Sequence, residues 1–171
     1  RVIEDQLVRA DLIIISGERQ DDSFDLITRT LAKLGEITTV DLAIEASGRH
    51  NFGTIGPDKT PVVTLPGDPI SAYISFELFI RPMIRTLLGA ATIHRPAVKA
   101  KLEKPVASMA GLRSYIRAIL SEDGKSVMPL PSQDEQSTLS DANAFIALSE
   151  SDIEKATGQE VTVVVLERRY I

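Results

Sequence analysis

Apolar positions along the first ninety residues fall into short solid runs separated by amphipathic stretches. Val2, Ile3, Leu7 and Val8 sit near helical spacing and predict the end of a helix over residues 2–10. Asp11 breaks that pattern. Leu12, Ile13, Ile14 and Ile15 follow without interruption, three of them β-branched, which predicts a strand buried on both faces. Ser16 and Gly17 close it. After a polar loop, Leu26, Ile27, Leu31 and Leu34 return at helical spacing, with Gly35 placed to cap the helix. Residues 37–44 alternate as a second strand. Residues 45–58, rich in Gly, Ser, Asn and Pro, predict a long loop. Val62 to Leu65 predict a third buried strand, and Pro66-Gly67-Asp68-Pro69 a tight turn. A long amphipathic helix is expected over 70–88, with Pro69 in its first turn, Gly89 past its end and a kink at Pro82. Three strand–helix units in series imply an α/β fold with a parallel sheet covered by helices.

Beyond Ala90 the rhythm changes. Segments 97–102, 114–120, 126–130, 145–148 and 161–166 are short and alternating, and Gly111, Asp123-Gly124 and Gly158-Gln159 punctuate them. That is the pattern of a small all-β barrel or sandwich. The expected organisation is an α/β domain over 1–90 and a β domain over 91–171. The chain opens with Arg1 inside a helical pattern, so an earlier part is expected to be missing.

Composition narrows the function classes. Of 171 residues, 43% are hydrophobic and 25% charged, as in an ordinary globular chain. The longest apolar runs are too short to span a bilayer, and no signal-peptide pattern appears. A cytoplasmic protein without membrane insertion is expected. The net charge of −5, with no basic cluster, gives no footprint for nucleic acid. With no cysteine there is no disulfide, thiol nucleophile or Cys-based zinc site. His50 is read as a lone loop histidine, and His94 is the only other, so zinc is rejected. Neither a nucleophile elbow nor a Walker loop is present.

Three constellations remain. Ser16-Gly17 ends a strand ahead of a helix, where backbone N–H groups suit an anion; an ordinary turn would look the same. Leu65 through Ser71 holds a glycine between two prolines, with Asp68 placed to cap the following helix; this too has a purely structural reading. Asp21, Asp22 and Asp25 could hold Mg²⁺ beside a phosphate, or simply be solvated.

As an ordered set these pieces resemble one family. Asp11 to Gly17, with Asp25 in the next helix, resembles the strand and S-G-G-x-S-x-G-x-x-D loop of the MoeA/gephyrin-type molybdopterin molybdotransferases. Leu31 to Ile37, reading LAKLGEI, resembles the helix end that follows. Leu65 to Ser71 resembles L-P-G-N-P-V-S, with Asp68 and Ile70 changed. Phe76 to Phe79 with Arg81-Pro82 resembles the helix beyond. Pro129-Leu130, Ser132-Gln133, Leu139 and Ala142-Asn143-Ala144 resemble P-L-x-S-Q…L-x-x-A-N-A, and Gly158 to Val161 the last strand entry.

The resemblance implies a MogA/MoaB-like α/β domain, truncated at its N-terminus, followed by a small barrel-like β domain. It implies insertion of molybdenum from molybdate into adenylated molybdopterin with release of AMP, aided by Mg²⁺. It implies a homodimer in the full-length form, working among molybdopterin-pathway proteins. The alternative is a catalytically inactive, gephyrin-like dimeric scaffold that binds a partner peptide. A plain nucleotide-binding module has no positive signal. Carried over by position, Asp25 is the catalytic and metal carboxylate, and Ser16, Gly17, Pro66, Gly67, Asp68 and Ser71 contact the cofactor. The chain also departs from the family. Glu18, Gln20 and Asp22 replace Gly, Ser and Gly in the first loop, and Glu45-Ala46-Ser47-Gly48-Arg49 stands where K-P-G-K-P is expected.

Overall fold

The computed structural model describes residues 2–17, 21–45, 47–131 and 141–166. They form two compact units, Arg1–Leu42 with Ser47–Ile93, and Ala43–Ala46 with His94–Ile171.

The first unit contains α1 (Val2–Leu7), β1 (Ile13–Ser16), α2 (Asp21–Ala32), β2 (Gly35–Asp41), β3 (Arg49–Ile55) and β4 (Thr60–Leu65). Its sheet runs β1-β4-β3-β2. Only β1 and β4 are parallel; β2, β3 and β4 form an antiparallel meander. The sheet is therefore mixed, where a parallel one was expected. The cause is β3, which lies within the stretch read as a loop. Its Gly, Asn and His content hides an alternation in which Asn51, Gly53 and Ile55 face one side and His50, Phe52 and Thr54 the other.

Gly35 is not a helix cap. It pairs with Ile55 as the first residue of β2, and a Cβ there would lie 2.1 Å from the Thr54 carbonyl oxygen. Glycine is required by the close approach of a neighbouring strand.

The core of this unit lies on the α2 side of the sheet. Ile13, Leu31, Ile55 and Val62 are buried there, with Ile3, Leu7, Ile27 and Leu34 packed against them. Each fully buried aliphatic side chain contributes about 1.5–3 kcal/mol. Leu26, expected on the apolar stripe, is 65% exposed. β1 is buried on one face only, since Ile14 on its other face is 40% exposed.

After Asp68 the chain winds through α3 (Pro69–Ser75), a π-helical stretch over Phe76–Ile80 and α4 (Arg81–Leu87). Asp68 is the N-cap. The Arg81 N–H reaches the Phe76 carbonyl five residues back. Pro82 lacks an N–H and its ring crowds the preceding turn. Winding one residue wider just ahead of it keeps the helical path going, so a π-bulge stands where a simple proline kink was expected. Gly89, at φ 66°, closes α4, with its N–H on Thr86 and that of Ala90 on Arg85.

The second unit is a closed barrel ordered β11-β5-β8-β7-β9. Its strands are β5 (Ala97–Leu102), β7 (Ser114–Leu120), β8 (Ser126–Pro129), β9 (Ala144–Leu148) and β11 (Glu160–Val165). The first two match the expected segments to the residue. A ribbon of β6 (Val106–Ala107) and β10 (Glu154–Lys155) had not been anticipated; two residues carry no period. Leu102, Leu120, Val127, Ile146, Leu148 and Val163 fill the barrel. Asn143, from the A-N-A motif, latches two strands. Its Oδ1 accepts from the Leu120 N–H at 2.7 Å, its Nδ2 donates to the Leu120 carbonyl at 3.2 Å, and its own carbonyl accepts from Leu166.

Candidate functional site

The candidate site lies at one end of the parallel pair in the first unit. Ser16 is in register with Leu65, and the Gly17 N–H points to the Leu65 carbonyl at 3.4 Å. Ser16-Gly17 and Pro66-Gly67 therefore leave neighbouring strands side by side at their carboxyl ends. In open α/β sheets that is where ligands bind. Ser16 and Gly67 are exposed.

Asp68 has a structural task. Its Oδ2 accepts from the Ser71 N–H at 2.8 Å and from the Ser71 hydroxyl at 2.5 Å. Ser71, read as a cofactor contact, is 2% exposed, and its hydroxyl is engaged inside this cap. Asp25 sits on α2 with its side chain exposed, and its carbonyl accepts from Arg29. Asp21 and Asp22 belong to the first turn of that helix, and Glu18 and Gln20 lie outside the described residues.

No group of three or more His, Cys, Asp or Glu that could hold a metal occurs among the described residues. Among the described residues Asp25 belongs to no such group. Mg²⁺ commonly takes one or two carboxylates together with substrate phosphates.

The segment before β3 turns inward. His50 is not alone in a loop but buried on β3, 3% exposed. Its Nδ1 donates to the Thr64 carbonyl at 2.9 Å, because a carbonyl can only accept. That tautomer leaves Nε2 to accept from the Ser47 hydroxyl at 3.0 Å. Ser75 in α3 then donates to Ser47 at 3.2 Å. The Phe79 ring meets the imidazole edge-on at 5.9 Å. Burial holds the His50 pKa below its ordinary 6.5, opposed by the bonds to Thr64 and Ser47.

Asn51 faces the opposite side. Its N–H donates to the Thr64 hydroxyl at 2.8 Å, its Nδ2 to Thr28 of α2 at 2.8 Å, and its Oδ1 accepts from Thr39 at 2.6 Å. Sequence reasoning missed Ser47, Asn51, Thr64 and Ser75, because their partners are 3 to 28 residues away and become visible only once β3 is a strand. The available signal was the alternation of His50, Phe52 and Thr54.

Arg49 faces outward. Its guanidinium pairs with Asp41 at 3.2 Å and lies 5.6 Å from the Phe24 ring centroid. Its charge is already matched. An apolar cavity of about 620 Å³ lies beside this network, walled by Val40, Phe52, Val63, Phe79, Pro82 and Met83.

The two strand-end loops, the capped helix and the barrel can be compared with known proteins. The MoeA C-terminal region (domain IV) matches residues 99–166. Molybdopterin molybdenumtransferase 1 of Mycobacterium tuberculosis is 31% identical over 174 residues, covering 96% of this chain and 41% of its own length. The chain matches the carboxy-terminal portion of the MoeA family. Molybdopterin molybdenumtransferase of Bacillus subtilis is 26% identical over 168 residues, covering 96% of this chain and 39% of that protein. A crystal structure of the molybdopterin biosynthesis protein MoeA from Pyrococcus horikoshii superposes with a TM-score of 0.80 at 26% identity, over 98% of this chain and 40% of the other. The chain thus spans about two fifths of the length of the curated relatives it matches.

Ser47 ahead of β3, His50 within it and Ser75 in α3 form a buried hydrogen-bonded chain. Among the described residues no helix is long and apolar enough to cross a membrane.

Proposed function

We propose that the chain serves molybdenum cofactor biosynthesis, as the part of a molybdopterin molybdotransferase that receives the anionic end of its substrate. Ser16 and Gly17 on one side and Pro66 and Gly67 on the other form the walls for adenylated molybdopterin and molybdate. Backbone N–H groups and the Ser16 hydroxyl offer hydrogen bonds to oxyanions. Asp25 takes a share of any Mg²⁺ that arrives with the phosphates, and Asp68 and Ser71 hold the turn. No nucleophilic side chain is needed, because the reaction exchanges molybdate onto a dithiolene and hydrolyses an adenylate.

The observation that carries this reading is the register of Ser16 with Leu65, which brings two sequence-distant loops to one edge. The test is molybdate-dependent release of AMP from adenylated molybdopterin by the intact protein, with Ser16→Ala and Asp25→Asn each lowering the rate about ten-fold or more. An inactive wild type, or full activity in both variants, would overturn it.

A second reading, a homodimeric scaffold that binds a partner peptide, draws on one observation. Glu45 accepts from Ser114 and Arg49 pairs with Asp41, so the segment that the resemblance expects to be basic offers little charge to a substrate. Retained partner binding by a protein that neither binds nor converts pterin would favour it.

A further inference from the structure

We propose that His50 is a positioning residue for the candidate site: with Asn51 it clamps Thr64, and through that clamp it sets the place of Leu65-Pro66-Gly67 against Gly17. This rests on the functional reading above for its ligand, but the clamp itself stands on geometry. Thr64 is the last residue before the strand end that faces Ser16 and Gly17. It is held twice, its carbonyl by His50 Nδ1 and its hydroxyl by the Asn51 N–H. The same two residues reach both helices that follow the site loops. Asn51 bonds Thr28 in α2, and His50 reaches Ser75 in α3 through Ser47. One dipeptide on β3 therefore fixes the strand end and both helices, with each polar atom spoken for.

The arrangement needs a neutral imidazole. A second ring proton would make Nε2 a donor, reverse the Ser47–Ser75 chain and place a charge at a 3%-exposed position. Charged groups on the surrounding elements are mostly matched among themselves: Glu77 with Arg81 on the helix that packs on this face, and Asp41 with Arg49 at the strand edge. Glu36 on β2, and Asp25 and Arg29 on α2, are exposed. β4 carries no titratable side chain. Acidification should therefore loosen the clamp through His50 itself.

The experiment follows the Gly17 and Gly67 amide resonances of the intact protein against pH, beside the His50 ring and the affinity for AMP. Both amides should move with the ring titration, and AMP affinity should fall several-fold on the same acidic limb. His50→Asn keeps a donor near the Nδ1 position. It should hold AMP within about two-fold of wild type at neutral pH and flatten the limb, whereas His50→Leu should weaken binding about ten-fold. The clamp is overturned if the ring titrates while both amides stay still. It is also overturned if a folded His50→Leu protein keeps wild-type Gly17 and Gly67 resonances. If wild type binds no AMP at any pH, the functional reading falls and the amide resonances alone decide the clamp.

Discussion

Replacing Asp68 separates the stability of the candidate turn from its electrostatics. The carboxylate caps α3 by accepting the Ser71 N–H, and it accepts the hydroxyl of the same residue. Asp68→Ala removes both bonds. Loss of an N-cap costs about 1 kcal/mol, within a range of roughly 0.5–2. A hydroxyl left unpaired at a position only 2% exposed adds about 1–2 kcal/mol. The expected destabilisation is about 2–3 kcal/mol. Asp68→Asn keeps both acceptor bonds and gives up only the charge near the helix N-terminus, about 0.3–1 kcal/mol. The same change takes a negative charge away from the candidate anion site. For an anion about 6 Å away, with an effective dielectric of about 40–80, that repulsion is about 0.7–1.4 kcal/mol, or roughly three- to ten-fold in affinity. Urea unfolding followed by helical circular dichroism reads the first quantity, because α1 to α4 lie in the first unit. Molybdate or AMP titration reads the second. The reasoning fails if Asp68→Ala unfolds within 0.5 kcal/mol of wild type, or if Asp68→Asn is as unstable as the alanine variant. It fails equally if Asp68→Asn binds the anion no better.

Gly35→Ala would press a Cβ to 2.1 Å from the Thr54 carbonyl oxygen, so β2 and β3 must separate; a loss of about 1–3 kcal/mol in urea is expected. Asn143→Ala removes both side-chain bonds to the Leu120 backbone and should cost the barrel about 2 kcal/mol, read from the unfolding of β-sheet signal. The Asp152 carboxyl is held down to about 2 by Lys155 first and by Ser149 next. Its stabilising effect is complete above the ordinary value near 3.8 and is lost as pH falls toward 2; Lys155→Ala should raise that pKa in a carboxyl NMR titration. His50 behaves with the same sign, since its folded pKa lies below 6.5. The stability it confers is present above 6.5 and declines as pH drops below it, so the urea midpoint of the helical signal should fall between pH 7 and 5, and His50→Asn should lessen that fall.

The sequence made the barrel more legible than the sheet, for physical reasons. Barrel strands alternate because one face looks inward and the other to solvent, so Ala100/Leu102 and Ser114 to Leu120 declare themselves by period and by flanking turns. β3 does not, because polar side chains do part of its packing: Asn51 is fully buried on one face and His50 nearly so on the other. A polarity pattern reads buried Asn and His as solvent-facing. Missing β3 then turned an antiparallel meander into supposed parallel units. The site loops were legible as motifs, since Ser-Gly after a strand and L-P-G-D-P-I-S carry unusual local chemistry. Their adjacency was not, because it depends on which strand β1 pairs with. The resemblance supplied that expectation, whereas the residues alone did not.

The stretch ahead of β3 departs from the K-P-G-K-P pattern of the family it resembles, and its described residues are taken up by internal bonds. Gly48, at φ 64°, turns the chain so that Ser47 and His50 point inward while Arg49 points out. Ser47 and His50 are spent on hydrogen bonds to Ser75 and Thr64, and Arg49 on Asp41 and Phe24. Arg49 is the one cation among them, and its exposed guanidinium is shared with Asp41. On the proposed reading, an anion at the strand ends relies on groups outside that segment, the Ser16 hydroxyl and the backbone of the proline-flanked turn. Such donors act only when placed to within a fraction of an ångström. On that reading, a site that relies on backbone dipoles more than on side-chain charge depends heavily on the rigidity of its strand ends. The double grip of His50 and Asn51 on Thr64 supplies rigidity at that point, one residue ahead of the loop that needs it.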